Sequence, residues 1–134
     1  MSISFPASAK TVDSIVFNPL RLPGINVSTM AYIIIGGQQL PTGAVLGRIT
    51  ASGKLTLCVA AAGDGSQVPH SITPHPINTF AADNVTPLDA YAAVYVKGYF
   101  NETALYLGTG LVLANVKEQL KDIGILLRAP GYSG

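Results

Sequence analysis

One short stretch of the chain holds residue types that could do chemistry: AAAGDGSQVPH, residues 60–70. Asp64, Ser66 and His70 lie within seven residues, and glycines flank the aspartate. A glycine loop cradles phosphate when its N–H groups converge at the start of a helix. Here prolines follow at 69, 74 and 76 and no lysine succeeds the glycines, so the phosphate reading fails. A serine nucleophile needs a base within reach and a third group to orient it. Ser66 lacks the G-x-S-x-G elbow, and His70 and His75 are the only histidines that could serve it. Cys58 with either histidine is the other nucleophile pair, and its place on a strand argues against it. For a metal, His70 and His75 supply two ligands where a closed site needs three or four, with Asp64 and Asp83 the nearby carboxylates. What remains is a tight turn in which glycine supplies positive φ and aspartate caps the backbone. The residues therefore predict no catalytic group, no metal and no cofactor.

The elements that would position this turn are short strands. AYIII (31–35) reads as a strand ended by Gly36-Gly37. AVLGRIT (44–50) and KLTLCVA (54–60) read as a hairpin about ASG, with Lys54 a turn residue. Within the second strand Leu55, Leu57 and Val59 share one face and Thr56 and Cys58 the other, which makes Cys58 a packed residue. Residues 69–88 are rich in Pro, Thr and Asn and read as a long connection holding at most one strand. AAVYVKGYFN (92–101) is a strand, and ALYLGTGLVLA (104–114) is expected to be a hairpin about Gly108–Gly110. One helix follows: Asn115 is its expected N-cap, Glu118 completes a capping box, and Gly124 closes it. Val116, Leu120 and Ile123 form its apolar stripe, and ILLR is a final strand.

Residues 1–30 differ in texture. Pro6, Pro19 and Pro23 break any helix or interior strand, yet the segment carries Ile3, Phe5, Ile15, Val16, Phe17, Leu20 and Leu22. Disordered linkers are poor in such residues, so this apolar arm is expected to order against something. The expectation is a two-part chain, an arm over 1–30 and a β-rich domain with one short helix over 31–134.

Composition sets the outer limits. The chain has 134 residues, enough for one domain with its own core, and its single cysteine excludes an internal disulfide. Neither a signal peptide nor an apolar run of about 20 residues is visible, so a soluble, non-exported protein is expected. Charged residues make up 11% of the chain, against about 25% in ordinary domains. None occurs between Leu22 and Gly47. Either many short polar strands or covering by other subunits must clothe such a surface. A net charge of +1 without a basic cluster argues against nucleic acid as partner.

In order along the chain stand TGAVLGRITASGKLTL, AAAGDGSQVPHSI, VYVKGYFNETAL and VKEQLKDIGILLR. This order resembles the lambda-type head decoration proteins of tailed bacteriophages. The shared motifs fall at Gly43 to Lys54, Asp64-Gly65-Ser66, Val94 to Asn101, and Leu120 to Ile125, within about residues 36–128. Departures are His70 and Ser71, where the family has a small apolar pair, the proline-rich TPHPINTFAAD, and an unmatched first 30 residues. The resemblance implies a compact β-clip-like or small β-barrel domain with an extended N-terminal arm, assembled as a homotrimer. It implies a protein made in the host cytoplasm and placed on the outer surface of the virion. There trimers bind the major capsid protein at three-fold sites of the expanded head and stabilise it against packaged DNA, without nucleic acid, membrane or cofactor as partner. The arm, through Ile3, Phe5, Ile15, Val16, Phe17, Leu20 and Leu22, is expected to contact the capsid, and Asp64, Gly65 and Ser66 to form the family turn. Two other readings stay open: a small trimeric β-clip enzyme with a site between subunits, and another structural adaptor of the virion.

Overall fold

Alternation of apolar residues along short segments, punctuated by glycine and proline, leads to a barrel. The computed structural model of the protein describes residues 20–21 and 27–128. Its strands are β1 (Ser28–Ile34), β2 (Gln39–Leu40), β3 (Val45–Arg48), β4 (Leu55–Leu57), β5 (Pro69–Ile72), β6 (Ile77–Asn78), β7 (Ala90–Asn101) and β8 (Ile125–Arg128). A 3-10 turn, Glu102–Ala104, and the helix α1, Leu113–Lys121, separate β7 from β8. The strand order β1-β4-β3-β5-β7 closes on itself because β7 also pairs antiparallel with β1. The result is a small five-stranded closed barrel, mainly β with one helix. β8 adds in parallel to the far half of β7, and β2 and β6 form a separate two-stranded ladder.

Two cores result, one on each side of the barrel wall. Ile34, Leu46, Leu55 and Val94 fill the interior with Leu40, Ala44 and Ile77. Val45, Ile72 and Tyr95 point outward, where Phe100, Cys58, α1 (Val116, Leu120) and β8 (Ile125, Leu127) cover them. Neighbouring residues of β3 thus face different cores, which is why AVL carries no polar alternation.

A strand forms within each of the segments 31–35, 44–50, 54–60, 92–101 and ILLR, but β3 and β4 are shorter than expected, and β1 starts at Ser28, inside the segment expected to be the arm. Three further expectations are corrected. The segment 69–88 holds two strands, β5 and β6, and Pro69 is tolerated at the first position of β5. The run 104–114 is not a hairpin: Leu105, Leu107, Leu111 and Leu113 pack against the outer core, with a single bridge from Tyr106 to Ala44. The helix begins at Leu113 after Val112, which makes no side-chain cap bond, so Asn115 is inside the helix and not its cap. Leu113 packs against the outer core, and tertiary contact outweighs the capping-box signal there. Val116 and Leu120 are buried as expected, but Ile123 lies past the helix end and is 47% exposed. Gly124 does follow the helix with φ of 97°, its N–H bonded to the Lys121 carbonyl.

Candidate functional site

The stretch of sequence that raised the chemical question is a turn seated on the β3–β4 hairpin. Asp64 Oδ1 accepts from the Ser66 N–H at 3.0 Å and from Ser66 Oγ at 2.6 Å. The Asp64 carbonyl accepts from the Thr50 N–H at 2.8 Å, tying the turn to the hairpin loop. Gly65 has φ of 104°, a conformation that L side chains rarely adopt, and its N–H donates to Gln67 Oε1 at 2.9 Å. Ser66 is buried, and its carbonyl lies so close over Gly47 that a Cβ there would overlap it. The glycine of AVLGRIT and the GDGS turn therefore interlock. Sequence reasoning missed this contact, although a glycine inside a strand pattern is itself a sign of close backbone approach. The Ser66 hydroxyl, its N–H and other local donors hold the Asp64 carboxyl below the usual carboxylate range.

This geometry does not assemble a nucleophile with its base. The Ser66 hydroxyl is directed at Asp64, while His70 Nδ1 lies 3.1 Å from Ser71 Oγ. The register of β3 and β5 slips between Leu46–Ser71 and Gly47–Pro69, which leaves His70 as the extra residue of a bulge. The His70 ring meets Tyr32 edge-on, with centroids 5.0 Å apart. Burial, and secondarily the Arg48 charge, lower its pKa from 6.5. Cys58 is fully buried in the outer core, and burial pushes its thiol up to about 11, which leaves it protonated and unreactive. His75 is exposed, and its Nδ1 lies 3.1 Å from the Pro76 carbonyl. Among the described residues, no group of three or more His, Cys, Asp or Glu could hold a metal, and no helix is long and apolar enough to cross a membrane.

Of the expected arm contacts, Ile3, Phe5, Ile15, Val16, Phe17 and Leu22 lie outside the described residues. Leu20 is at the root of that segment and is held on the domain. Its carbonyl accepts from the Asn101 N–H at 2.7 Å, its side chain packs against the outer core, and Arg21 bridges to Phe100. Lys54 ends the β3–β4 turn, where its carbonyl accepts from the Ile49 N–H at 2.9 Å. Its Nζ meets Asp89 at 2.5 Å, and Asp89 in turn accepts from the Gly36 N–H at 2.8 Å.

A small closed β-barrel with one helix, whose signature turn locks a hairpin in place, is the class of protein that this fold and site define. The family model of bacteriophage lambda head decoration protein D matches residues 24–125, and the chain belongs to that family. The family is a structural one of the phage capsid, and capsid decoration is the role it carries. A comparison with curated proteins gave no match.

Proposed function

We propose that the protein is a cementing protein that binds as a homotrimer to the three-fold sites on the outside of the expanded head and stabilises the shell. The observation that carries this reading is the family match over residues 24–125. The mechanism is binding without turnover. Ligands that bind the expanded shell better than its alternatives shift the equilibrium toward it. The segment ahead of β1 is the capsid-binding arm, acting through Ile3, Phe5, Ile15, Val16 and Phe17 with Leu20 and Leu22 at its root, while Ser28–Met30, expected within the arm, belong to β1. An apolar, proline-broken segment suits strand addition to a coat subunit, where main-chain bonds give affinity and alternate side chains give specificity. Three arms on one trimer make modest single contacts durable through effective concentration.

The test is co-sedimentation with undecorated, expanded capsids. The full chain is compared with a form lacking residues 2–19, which keeps Leu20 and Arg21 on β7, and with the triple change Ile15→Ser, Val16→Ser and Phe17→Ser. Saturable binding by the full chain, weakened in both variants while trimer mass is kept, supports decoration and the arm. Unchanged affinity of the variants overturns the role of the arm. Absence of binding by a well-folded full-length trimer overturns the decoration reading.

A further inference from the structure

The turn that locks the β3–β4 hairpin is built on the one Asp–Gly bond in the chain, Asp64–Gly65. Such a bond is prone to rearrange, because glycine has no side chain to keep its nitrogen from the neighbouring carboxyl. The Gly65 nitrogen attacks Cγ of Asp64. A C–N bond forms, a C–O bond breaks, and the N–H proton leaves with the carboxyl hydroxyl as water, giving a five-membered imide. Water then opens the imide at either carbonyl. One opening restores aspartate. The other leaves isoaspartate, with the main chain routed through the former side chain and one carbon longer.

The turn calls for both residues. Gly65 has φ of 104°, and a Cβ there would overlap Thr50 Oγ1. Asp64 caps the turn through the Ser66 N–H, and its carbonyl accepts from the Thr50 N–H. The fold is therefore committed to a reactive pair, and it holds both reacting groups. The Gly65 N–H, whose proton must leave, donates to Gln67 Oε1 at 2.9 Å. Asp64 Oδ1 accepts from Ser66 Oγ at 2.6 Å and from the Ser66 N–H at 3.0 Å. These donors hold the Asp64 carboxyl below the usual carboxylate range, which leaves less of the protonated acid that can lose water. Asp64 is exposed, so solvent has access and protection rests on the bonds.

We infer that Asp64–Gly65 is a latent site of spontaneous isoaspartate formation, and that Gln67 is the positioning residue that keeps it closed. The same turn sets the consequence of failure. An extra main-chain carbon after Asp64 displaces the Ser66 carbonyl, which fits closely over Gly47, and disturbs the bond from the Thr50 N–H. Rearrangement at this one bond unseats the hairpin.

The full chain, Gln67→Met and Leu120→Ala are aged together at neutral pH, beside a free peptide of residues 60–70. Isoaspartate at position 64 is counted by peptide mapping with electron-transfer fragmentation. Methionine matches glutamine in length without the amide oxygen, and Leu120→Ala weakens the outer core while leaving the bonds of the turn in place. Gln67→Met should quicken rearrangement of the folded chain about fivefold, the rate equivalent of one hydrogen bond of about 1 kcal/mol. The peptide, free of the Gln67 and Ser66 restraints together, should rearrange about tenfold or more faster than the full chain. Leu120→Ala should age like the full chain. If Gln67→Met fails to fold, judged by circular dichroism, Gln67→Ala is read in its place. A full chain that gains isoaspartate as fast as the peptide overturns the inference, and so does a Gln67→Met chain that ages no faster than its parent. Equal acceleration by Leu120→Ala also overturns it, because protection then belongs to global stability and not to Gln67.

Discussion

Replacing Gly47 with alanine tests the interlock between the β3–β4 hairpin and the Asp64–Ser66 turn. The backbone of Gly47 suits any residue, so the penalty comes from space alone: the new methyl overlaps the carbonyl of Ser66, which is backbone and cannot rotate away. Overpacking of this kind costs about 1–3 kcal/mol. Moving the turn also strains the bond from the Thr50 N–H to the Asp64 carbonyl, worth about 1 kcal/mol. Against this, alanine restricts the unfolded chain and returns about 0.4–1 kcal/mol. The net expectation is a loss of about 2–3 kcal/mol, or roughly 10 °C in Tm for a domain of this size. Gly63→Ala is the matched control, because nothing lies within 4 Å of a Cβ there and its φ is unrestricted. Both variants and the parent are unfolded in urea at one protein concentration, since self-association would add its own stabilisation. If Gly47→Ala unfolds with the same midpoint as Gly63→Ala, the turn is not seated on β3 and the reasoning fails.

Three further outcomes are expected. Leu120→Ala, in the outer core, should cost about 2–5 kcal/mol, while Ile123→Ser should be nearly neutral; equal urea midpoints for the two would restore the helical stripe read from sequence. Cys58 should ignore a thiol reagent such as Ellman's at about pH 8 until denaturant is added, because its folded pKa is about 11; stoichiometric labelling of the folded protein would contradict its burial. His70 has a folded pKa below the 6.5 of the unfolded chain, so the unfolded state takes up its proton first as pH falls. Stability from this group is complete above about pH 6.5 and declines below it, and His70→Gln should flatten that decline between about pH 7 and 5. Asp83, held down to about 2 by the Thr86 and Val85 donors, titrates far below that window. Parallel stability curves for the two proteins would show that His70 is not responsible.

Much of the local structure was legible because it depends on neighbours in sequence. The hairpin about residues 50–53, the strand stopped at Gly36-Gly37, the long strand through Val94, and the final ILLR strand all follow from period-two patterning and glycine punctuation. The turn at Asp64 was legible for the same reason, since aspartate caps its own backbone two residues on. The run 104–114 misled because its leucines alternate as in a strand, yet they find their apolar partners in the outer core. Asn115 misled because a capping signal worth about 1 kcal/mol competes with burial of Leu113 and Val116, and burial prevails.

The sequence by itself determined the class of the protein: mainly β, one helix, few charges, and four motifs in the order of a capsid decoration family. Chain order carries that information, because turn chemistry and alternation act over a few residues. Only the tertiary structure decided that β1 closes the barrel against β7, some sixty residues away, and that the GDGS turn rests on Gly47. It alone separated the covered half of β7 from the bare half around Tyr91. Those outcomes depend on which distant surfaces fit together, and a local period specifies the face of a strand without naming what will cover it.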